Sequence, residues 1–286
     1  MDGKLFFKKN ESFSIREGWI SKVINNNNLK KTFSKNEGIS ELGIGSNMVK
    51  SLKYWVTASG IIEGKDCQLT AFGNALREND PYLEKDISWF LIHYHLVKNT
   101  TQCPIFYYVF TMNQNGFTKD FIVNYVFEKA KPFFNDKDDD VLRKYVEDDT
   151  NVFLKTYYSE DKTTNPEENY VCPLSHLNLL QKNKGKYIKS SPSLSQLSPI
   201  IVYYVLRQEF ENEDSFVIDD TIEKEFGPCH IFNLDKSSFI QHLEILQNRG
   251  LLIINRTAGL NTVYFCESEL NYNALYEYQK EFDENV

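Results

Sequence analysis

The chain has 286 residues, of which 41% are hydrophobic and 14% aromatic, and a formal net charge of −8. This composition is typical of a globular protein and excludes a chain that is disordered throughout. The longest apolar runs, CPIFYYVF and PIIVYYVL, are far shorter than the about 20 residues needed to cross a bilayer. The first residues, MDGKLFFKKN, lack the apolar region of a signal peptide, so we expect a cytoplasmic protein.

The charge distribution indicates where the chain could attract phosphates, and the cysteine spacing indicates whether it binds zinc. Residues 1–56 contain ten Lys or Arg against five Asp or Glu, so the acidic chain has a basic end that would attract phosphates locally. The cysteines are widely separated, with no CxxC pair, which indicates reduced thiols and argues against structural zinc. They are Cys67, Cys103, Cys172, Cys229 and Cys266.

The first 80 residues predict a winged-helix domain. A first helix is expected in ESFSIREGWISKVI, and a short helix before the turn Gly43-Ile44-Gly45. A longer helix follows in SNMVKSLKYWVTASG, capped by Ser46 and ended by a left-handed Gly60. Its apolar residues recur at helical spacing, and the segment GIIEGKDCQLTAFGNAL then predicts two strands. The apolar face consists of Met48, Val49, Leu52, Trp55 and Val56.

The opposite face of this longer helix is polar, and a recognition helix presents such a face to DNA. Ser51 is expected on the same polar face. We predict DNA contacts from Asn47, Lys50, Lys53, Tyr54 and, in the hairpin, Lys65.

A helical middle domain is predicted over residues 81–190, after the boundary Asn79-Asp80-Pro81. Three segments have helical patterns, and Thr118 is the expected N-cap of the second. They are LEKDISWFLIHYHLV, TKDFIVNYVFEKA and DDVLRKYVEDDTNVFLKTYY. The segment KNKGKYIKSSPSLSQLSP is predicted to be a linker to the next domain.

A second winged-helix domain is predicted over residues 191–286, with PIIVYYVLRQEF as its first helix and NALYEYQKEFDE as its last. A helix ending at Gly250 precedes two strands that meet at a turn around Ala258-Gly259. Val49, Val56 and Gly60-Ile61 match Phe239, Leu246 and Gly250-Leu251 at a constant offset, which indicates an internal repeat.

The second domain offers its own DNA-binding candidates, which are Lys236, Gln241, Arg249 and Arg256. It is acidic around ENEDSFVIDDTIEKEF, so we expect it to bind DNA less well than the first, or to bind a protein partner.

No strong catalytic motif is present: there is no Walker loop, GxGxxG, HExxH or GxSxG. The weak candidate is acidic, because Asp149 followed by Glu160, Asp161 and Lys162 resembles the D…(D/E)xK pattern of metal-dependent nucleases. In that interpretation Asp149 and Glu160 hold Mg²⁺ or Mn²⁺, and Lys162 lies near the scissile phosphate. In the alternative, these residues are a solvated helix end and a loop.

SFSIREGWISK, LGIGSNMVKSLKYWVTASGII, FLKTYY and CPLSHLNLL together resemble a family of bacterial proteins of unknown function. The resemblance is to the SspB-type component of DNA phosphorothioation systems, which replace a phosphate oxygen by sulfur in phage defence. It implies partnership with a cysteine desulfurase, an ATP pyrophosphatase and an ATPase, and DNA nicking. No catalytic residue is carried over, because no catalytic motif of the family is matched residue by residue.

Two functions therefore stay open. The first is a component that binds double-stranded DNA in a phosphorothioation system, with metal-dependent nicking activity. The second is a non-catalytic winged-helix adaptor or transcriptional regulator without a cofactor, which would bind DNA without cutting it. Metal-dependent nicking distinguishes the two functions.

Overall fold

The structure is a computed structural model that describes residues 4–34, 37–135, 138–159, 171–257, 260–266 and 270–284. The chain is mainly helical with small antiparallel sheets, as the periodicity predicts. It divides into two compact units, residues 1–109 with 113–189, and residues 110–112 with 190–286. The three-domain division at residues 80 and 190 stays a prediction.

The order of the elements departs from the prediction in the segment GIIEGKDCQLTAFGNAL, where the second expected strand ends at Leu69 and Ala71–Asn79 form a helix that Thr70 caps. The helices are α1 (Trp19–Ile24), α2 (Leu29–Thr32), α3 (Gly38–Leu42), α4 (Ser46–Ala58), α5 (Ala71–Asn79), α6 (Asp86–Lys98), α7 (Pro104–Thr111), α8 (Lys119–Ala130), α9 (Asp139–Tyr157), α10 (Pro199–Glu209), α11 (Ile218–Ile222), α12 (Pro228–Ile231), α13 (Lys236–Asn248) and α14 (Tyr272–Asp283). Short 3₁₀ helices cover Lys131–Phe133 and Pro173–Leu177.

The strands form three small sheets, each antiparallel. They are β1 (Ile62–Glu63), β2 (Gln68–Leu69), β3 (Leu180–Asn183), β4 (Lys186–Lys189), β5 (Ser215–Val217), β6 (Leu252–Thr257) and β7 (Leu260–Phe265). Strands β1 and β2 pair, β3 and β4 pair, and the third sheet has the order β5-β7-β6. The turn predicted around Ala258-Gly259 lies outside the described residues.

The core of the first unit is built on α6, which is apolar on every side. Between Ile87 and Val97 all side chains but one are buried, and a helix with this pattern lies inside a protein. His93 of this helix is fully buried, with Nδ1 2.6 Å from the Tyr157 hydroxyl. The predicted N-cap of α8 is confirmed, since Thr118 Oγ1 accepts a hydrogen bond from the Phe121 amide at 3.2 Å.

The helix α4 differs from the prediction in two details. Gly45, not Ser46, is the N-cap residue, so Ser46 is the first helical residue. Ser51 is fully buried rather than on the polar face, and its hydroxyl lies 3.5 Å from the Phe13 carbonyl oxygen. Trp55, one turn further along the helix, is also buried and donates a hydrogen bond to the same carbonyl at 2.9 Å.

The internal repeat is confirmed in the backbone geometry. Helices α4 and α13 each have 13 residues, and both end before a left-handed glycine, Gly60 with φ 69° and Gly250 with φ 75°. The amide that follows each glycine donates to the helix at matching positions, 2.9 Å in the first case and 3.0 Å in the second. We call residues 46–70 the first repeat and residues 236–266 the second repeat.

The predicted linker over residues 182–199 is partly wrong, because its first half belongs to the hairpin β3–β4. Lys184 and Gly185 both have positive φ, 49° and 78°, which matches the twist of two antiparallel strands. Tyr187 also exchanges two backbone hydrogen bonds of 2.8 Å with Phe117. The polar strands contain few β-branched residues, so the sequence pattern did not indicate them.

The cysteines are all free, and only Cys266 is exposed. Burial raises the pKa of Cys103, Cys172 and Cys229 to about 12. Within the described residues, no helix combines the length and the apolar character that crossing a membrane requires.

Candidate nucleic-acid interface

The outer side of α4 carries a continuous polar stripe. Each member has another member three or four residues away, which places them on one side of a helix. We call this set the α4 stripe, and it consists of Asn47, Lys50, Lys53, Tyr54 and Thr57. None of these side chains belongs to the buried core.

The two lysines of the α4 stripe are not neutralised by carboxylates. Lys50 Nζ donates to Asn47 Oδ1 at 3.2 Å, and Lys53 Nζ lies 5.7 Å from the centre of the Phe33 ring. Across the described residues, neither ammonium group forms an ion pair. Their charges are therefore available to phosphate oxygens.

Tyr54 is held by the protein more than the sequence suggested. Its hydroxyl donates to the Gln102 carbonyl at 2.8 Å and lies 3.3 Å from Cys103 Sγ. Burial of this hydroxyl raises the pKa of Tyr54 well above 10. Any contact of Tyr54 with DNA would therefore use its ring, and that contact stays a prediction.

Lys65 lies in the turn between β1 and β2, where it is exposed. Its neighbour Asp66 forms an exposed ion pair of 2.7 Å with Lys30 of α2. For Lys65 itself, no ion pair occurs within the described part of the chain, and its predicted DNA contact stays a prediction.

In the second repeat, two of the predicted cations are already paired. Lys236 forms an ion pair with Asp219, and Arg256 forms one with Glu244 at 2.6 Å. The Arg249 guanidinium lies 4.8 Å from the centre of the Phe282 ring. Exposed ion pairs are weak, but they lower the positive potential that DNA would meet at this surface.

Gln241, the remaining candidate of the second repeat, is exposed on α13. An amide side chain can contact base edges but supplies no charge. The second repeat therefore presents a less positive surface than the first.

Asp149, the candidate metal ligand, is buried on α9 and binds the N-terminal arm, which we define as residues 5–13. Its Oδ2 accepts from the Lys8 amide at 3.0 Å, and its Oδ1 accepts from Asn10 Nδ2 at 2.9 Å. The adjacent Asp148 pairs with Lys8 Nζ at 2.5 Å. Burial raises the pKa of Asp149 to about 6, although the hydrogen bonds from Lys8 and Asn10 oppose this shift. The observed contacts of Asp149 thus hold the arm in place.

The described residues do not by themselves form a magnesium site. Glu160 and Lys162, the other predicted catalytic residues, lie outside the described residues. No group of three or more His, Cys, Asp or Glu suited to a metal occurs among the residues that are described. Mg²⁺ is commonly held by one or two carboxylates together with water or phosphate oxygens, and both oxygens of Asp149 already accept hydrogen bonds from the protein. The catalytic and metal roles of Asp149, Glu160 and Lys162 stay predictions.

The sequence patterns missed the N-terminal arm, which lies beside the α4 stripe. Lys8, Glu11 and Ser12 all have positive φ, 64°, 49° and 64°, a conformation that costs free energy in residues other than glycine. A groove of about 420 Å³ separates the arm from the stripe, with Phe6 and Lys9 on the arm side. The only sequence signal was the local run of aromatic residues and lysines in KLFFKK.

A model of the family described as "Protein of unknown function (DUF4007)" matches residues 7–279. No curated protein matches the chain. A magnesium ion-bound crystal structure of SspB is similar to it, with a TM-score of 0.81 and 19% identity over 98% of this chain and 88% of that one. A second SspB crystal structure has a TM-score of 0.78 with the same identity and coverage. The resemblance found in the sequence is thereby confirmed at the level of the fold.

Proposed function

The chain belongs to the DUF4007 family and has the fold of SspB, and from this premise we propose that it is a DNA-binding component of a DNA phosphorothioation system. The observation that carries the proposal is the α4 stripe, where Lys50 and Lys53 have no carboxylate partner among the described residues. In an acidic protein, two such lysines on one helix face are suited to the phosphates of a duplex.

The proposal includes a winged helix in each repeat. In the first, α3, a Gly43 turn with φ 66°, α4 and the hairpin β1–β2 follow one another. In the second, β5 joins the hairpin to make the sheet β5-β7-β6 beside α13. This element order supports α4 as the helix that contacts a groove of DNA, with Lys65 on the hairpin.

The test is the salt dependence of duplex binding, measured by fluorescence anisotropy for the wild type and the double variant Lys50→Ala with Lys53→Ala. Removal of two phosphate contacts should lower the slope of log K against log salt by about 1.8 and weaken binding about tenfold. The matched control is Lys236→Ala with Arg256→Ala, which removes two paired cations from the second repeat and should change affinity less than about twofold. Unchanged binding by the first variant would overturn α4 as the DNA-contacting helix.

We extend the proposal to cleavage of one strand, assisted by Mg²⁺ or Mn²⁺. Its support is the sequence pattern of Asp149, Glu160 and Lys162 and the magnesium ion bound in one SspB crystal structure. As partners we propose the cysteine desulfurase, ATP pyrophosphatase and ATPase that the resemblance implies.

The cleavage test uses supercoiled plasmid with Mg²⁺, with Mn²⁺ and with a chelator. Open-circle product that needs metal, and that Glu160→Gln or Lys162→Ala abolishes without loss of duplex binding, would support cleavage. Asp149→Asn needs a melting curve beside it, because Asp149 also holds the N-terminal arm. A mobility shift without open-circle product would favour the alternative, a non-catalytic adaptor or regulator.

A further inference from the structure

The groove between the N-terminal arm and the α4 stripe exposes an aromatic ring at a fixed position. Phe6 is 38% exposed, whereas its neighbours Leu5 and Phe7 are buried at 1% and 8%. The Phe6 amide donates to the Thr101 carbonyl at 2.9 Å, so its backbone is held as well. An aromatic side chain that is anchored on both sides yet open to solvent offers a flat surface for stacking.

Positive charge surrounds this ring. Lys9 Nζ lies 5.8 Å from the centre of the Phe6 ring, and Lys50 and Lys53 line the opposite wall. Within the described residues none of these three lysines forms an ion pair, and Glu11 is the one acidic residue that lines the groove. The groove is therefore complementary to an anionic ligand that has an aromatic part.

The polar groups of the groove suit the edge of a nucleobase. Gln102 and Glu11 lie among its lining residues, and amide and carboxylate groups are those that bind base amino and ring nitrogen atoms. The volume of about 420 Å³ falls in the range of about 300 to 1,000 Å³ that is typical of small-ligand sites. One nucleotide fits this description in charge, aromatic character and size.

We propose that this groove binds one unpaired nucleotide of a DNA strand, with its base stacked on Phe6 and the flanking phosphates at Lys9, Lys50 and Lys53. The inference rests on the proposed function, because it takes DNA as the ligand. It adds a site for single-stranded DNA to the duplex-binding site proposed on the α4 stripe. The α4 stripe leads along the helix from Asn47 to Thr57, which lines the groove, so a duplex on α4 would have its displaced nucleotide close to Phe6.

The arm is built to keep this surface in place. Three of its residues adopt left-handed conformations, and such strain persists only where surrounding contacts enforce it. Asp149 supplies those contacts through the Lys8 amide and the Asn10 side chain. Asp149 is therefore a positioning residue for the groove, whatever its role in cleavage.

The experiment measures anisotropy of a labelled 12-nucleotide thymidine strand and of a fully paired hairpin duplex. The variants are Phe6→Ala and Phe6→Leu, and the matched control is Phe121→Ala, since Phe121 is 39% exposed in the same unit. Loss of stacking should weaken single-strand binding about tenfold in both Phe6 variants and duplex binding less than twofold. Phe121→Ala should leave both affinities unchanged, and melting curves should show that each variant is folded.

Three results would overturn the inference. They are a wild-type protein that binds duplex but no single strand, Phe6 variants that keep their single-strand affinity, and Phe6 variants that lose both affinities equally. In the first two cases the proposed function survives, because Lys50→Ala with Lys53→Ala would still weaken duplex binding. Competition with thymidine monophosphate separates the sources of the ligand: equal affinity for the free nucleotide would overturn its assignment to a DNA strand.

Discussion

The two repeats share a helix, a glycine turn and a hairpin, but their surfaces differ. Both have a helix of 13 residues, a left-handed glycine and a hairpin closed by a matching hydrogen bond of 3.0 Å. The residues on the outer side of the helix differ at every matched position of the stripe: Asn47, Lys50, Lys53 and Tyr54 match Ser237, Ile240, Leu243 and Glu244. The fold of a repeat therefore says little about its ligand, and our proposal of DNA binding rests on the two lysines of one helix face rather than on the fold.

The difference is also one of burial. Lys53 is partly exposed, whereas Leu243, at the same position of the second repeat, is fully buried. Other elements of the second unit therefore cover a face that the first repeat leaves open. The second repeat uses this helix face for packing, and two of its cations are neutralised in the pairs Lys236–Asp219 and Arg256–Glu244.

The largest effect should come from exchanging these matched residues. Leu243→Lys places an ammonium group in the core and should lower the free energy of unfolding by about 3 to 5 kcal/mol. Lys53→Leu should change it by less than about 1 kcal/mol. Urea denaturation measures both values, and similar losses in the two variants would show that the two helix faces are equally buried.

A second exchange concerns the core position where Leu52 matches His242. His242 is 1% exposed and its Nδ1 has no hydrogen-bond partner among the described residues, so His242→Leu should stabilise the protein by about 1 to 3 kcal/mol. Burial lowers the pKa of His242 to about 4 from its usual 6.5.

The sign of the pH dependence follows from that shift. Between pH 4 and 6.5 the unfolded chain binds a proton that the folded His242 rejects, so the wild type loses stability as the pH falls. His242→Leu should therefore gain more at pH 5 than at pH 8, measured by thermal melting. Leu52→His should instead destabilise the first repeat, and more at pH 5 than at pH 8. If His242→Leu stabilised the protein equally at both pH values, His242 would not be a buried neutral imidazole.

Replacing either of the glycines that follow the two helices by alanine should lower the free energy of unfolding by the same amount. Gly60→Ala and Gly250→Ala place a Cβ in a left-handed conformation and should each cost about 1 to 2 kcal/mol. Gly45→Ala is the control, because Gly45 has an ordinary φ of −64° and open space around it. A loss in only one repeat would show that their helix ends are not equivalent.

The smallest expected effect is a change in duplex affinity when an ion pair of the second repeat is broken. Glu244→Gln would release Arg256 from its ion pair, and one more free cation should raise duplex affinity about two- to threefold at low salt. The gain should disappear in Glu244→Gln combined with Arg256→Ala. A change of affinity that persists in the combined variant would mean that Arg256 does not mediate it.

Helices with a strong apolar period could be predicted from the sequence, and so could the repeat. The lysines of the α4 stripe also followed from helical spacing, because Lys50 and Lys53 are three residues apart. The hairpin β3–β4 was missed because its strands are polar and its turn residue Lys184 is not a residue type that signals positive φ.

The groove could not be predicted because it is assembled from distant segments. Phe6 and Lys9 come from the arm, Lys50 and Lys53 from α4, and Gln102 from the loop before α7. The contact of Asp149 with Lys8 joins residues 141 positions apart, and no local pattern reports such a pairing. Only the three-dimensional structure shows that the buried Asp149 carboxylate binds the N-terminal arm.

The single exposed thiol has a practical consequence for these experiments. Because burial raises the pKa of Cys103, Cys172 and Cys229 to about 12, almost none of their thiolate form exists at neutral pH, and a maleimide reacts with thiolate. Cys266 is exposed at the end of β7 and should accept a fluorescent dye in the unmodified sequence. The label would lie on the second repeat and on none of the residues that line the groove, so the protein carries its own attachment point for a reporter.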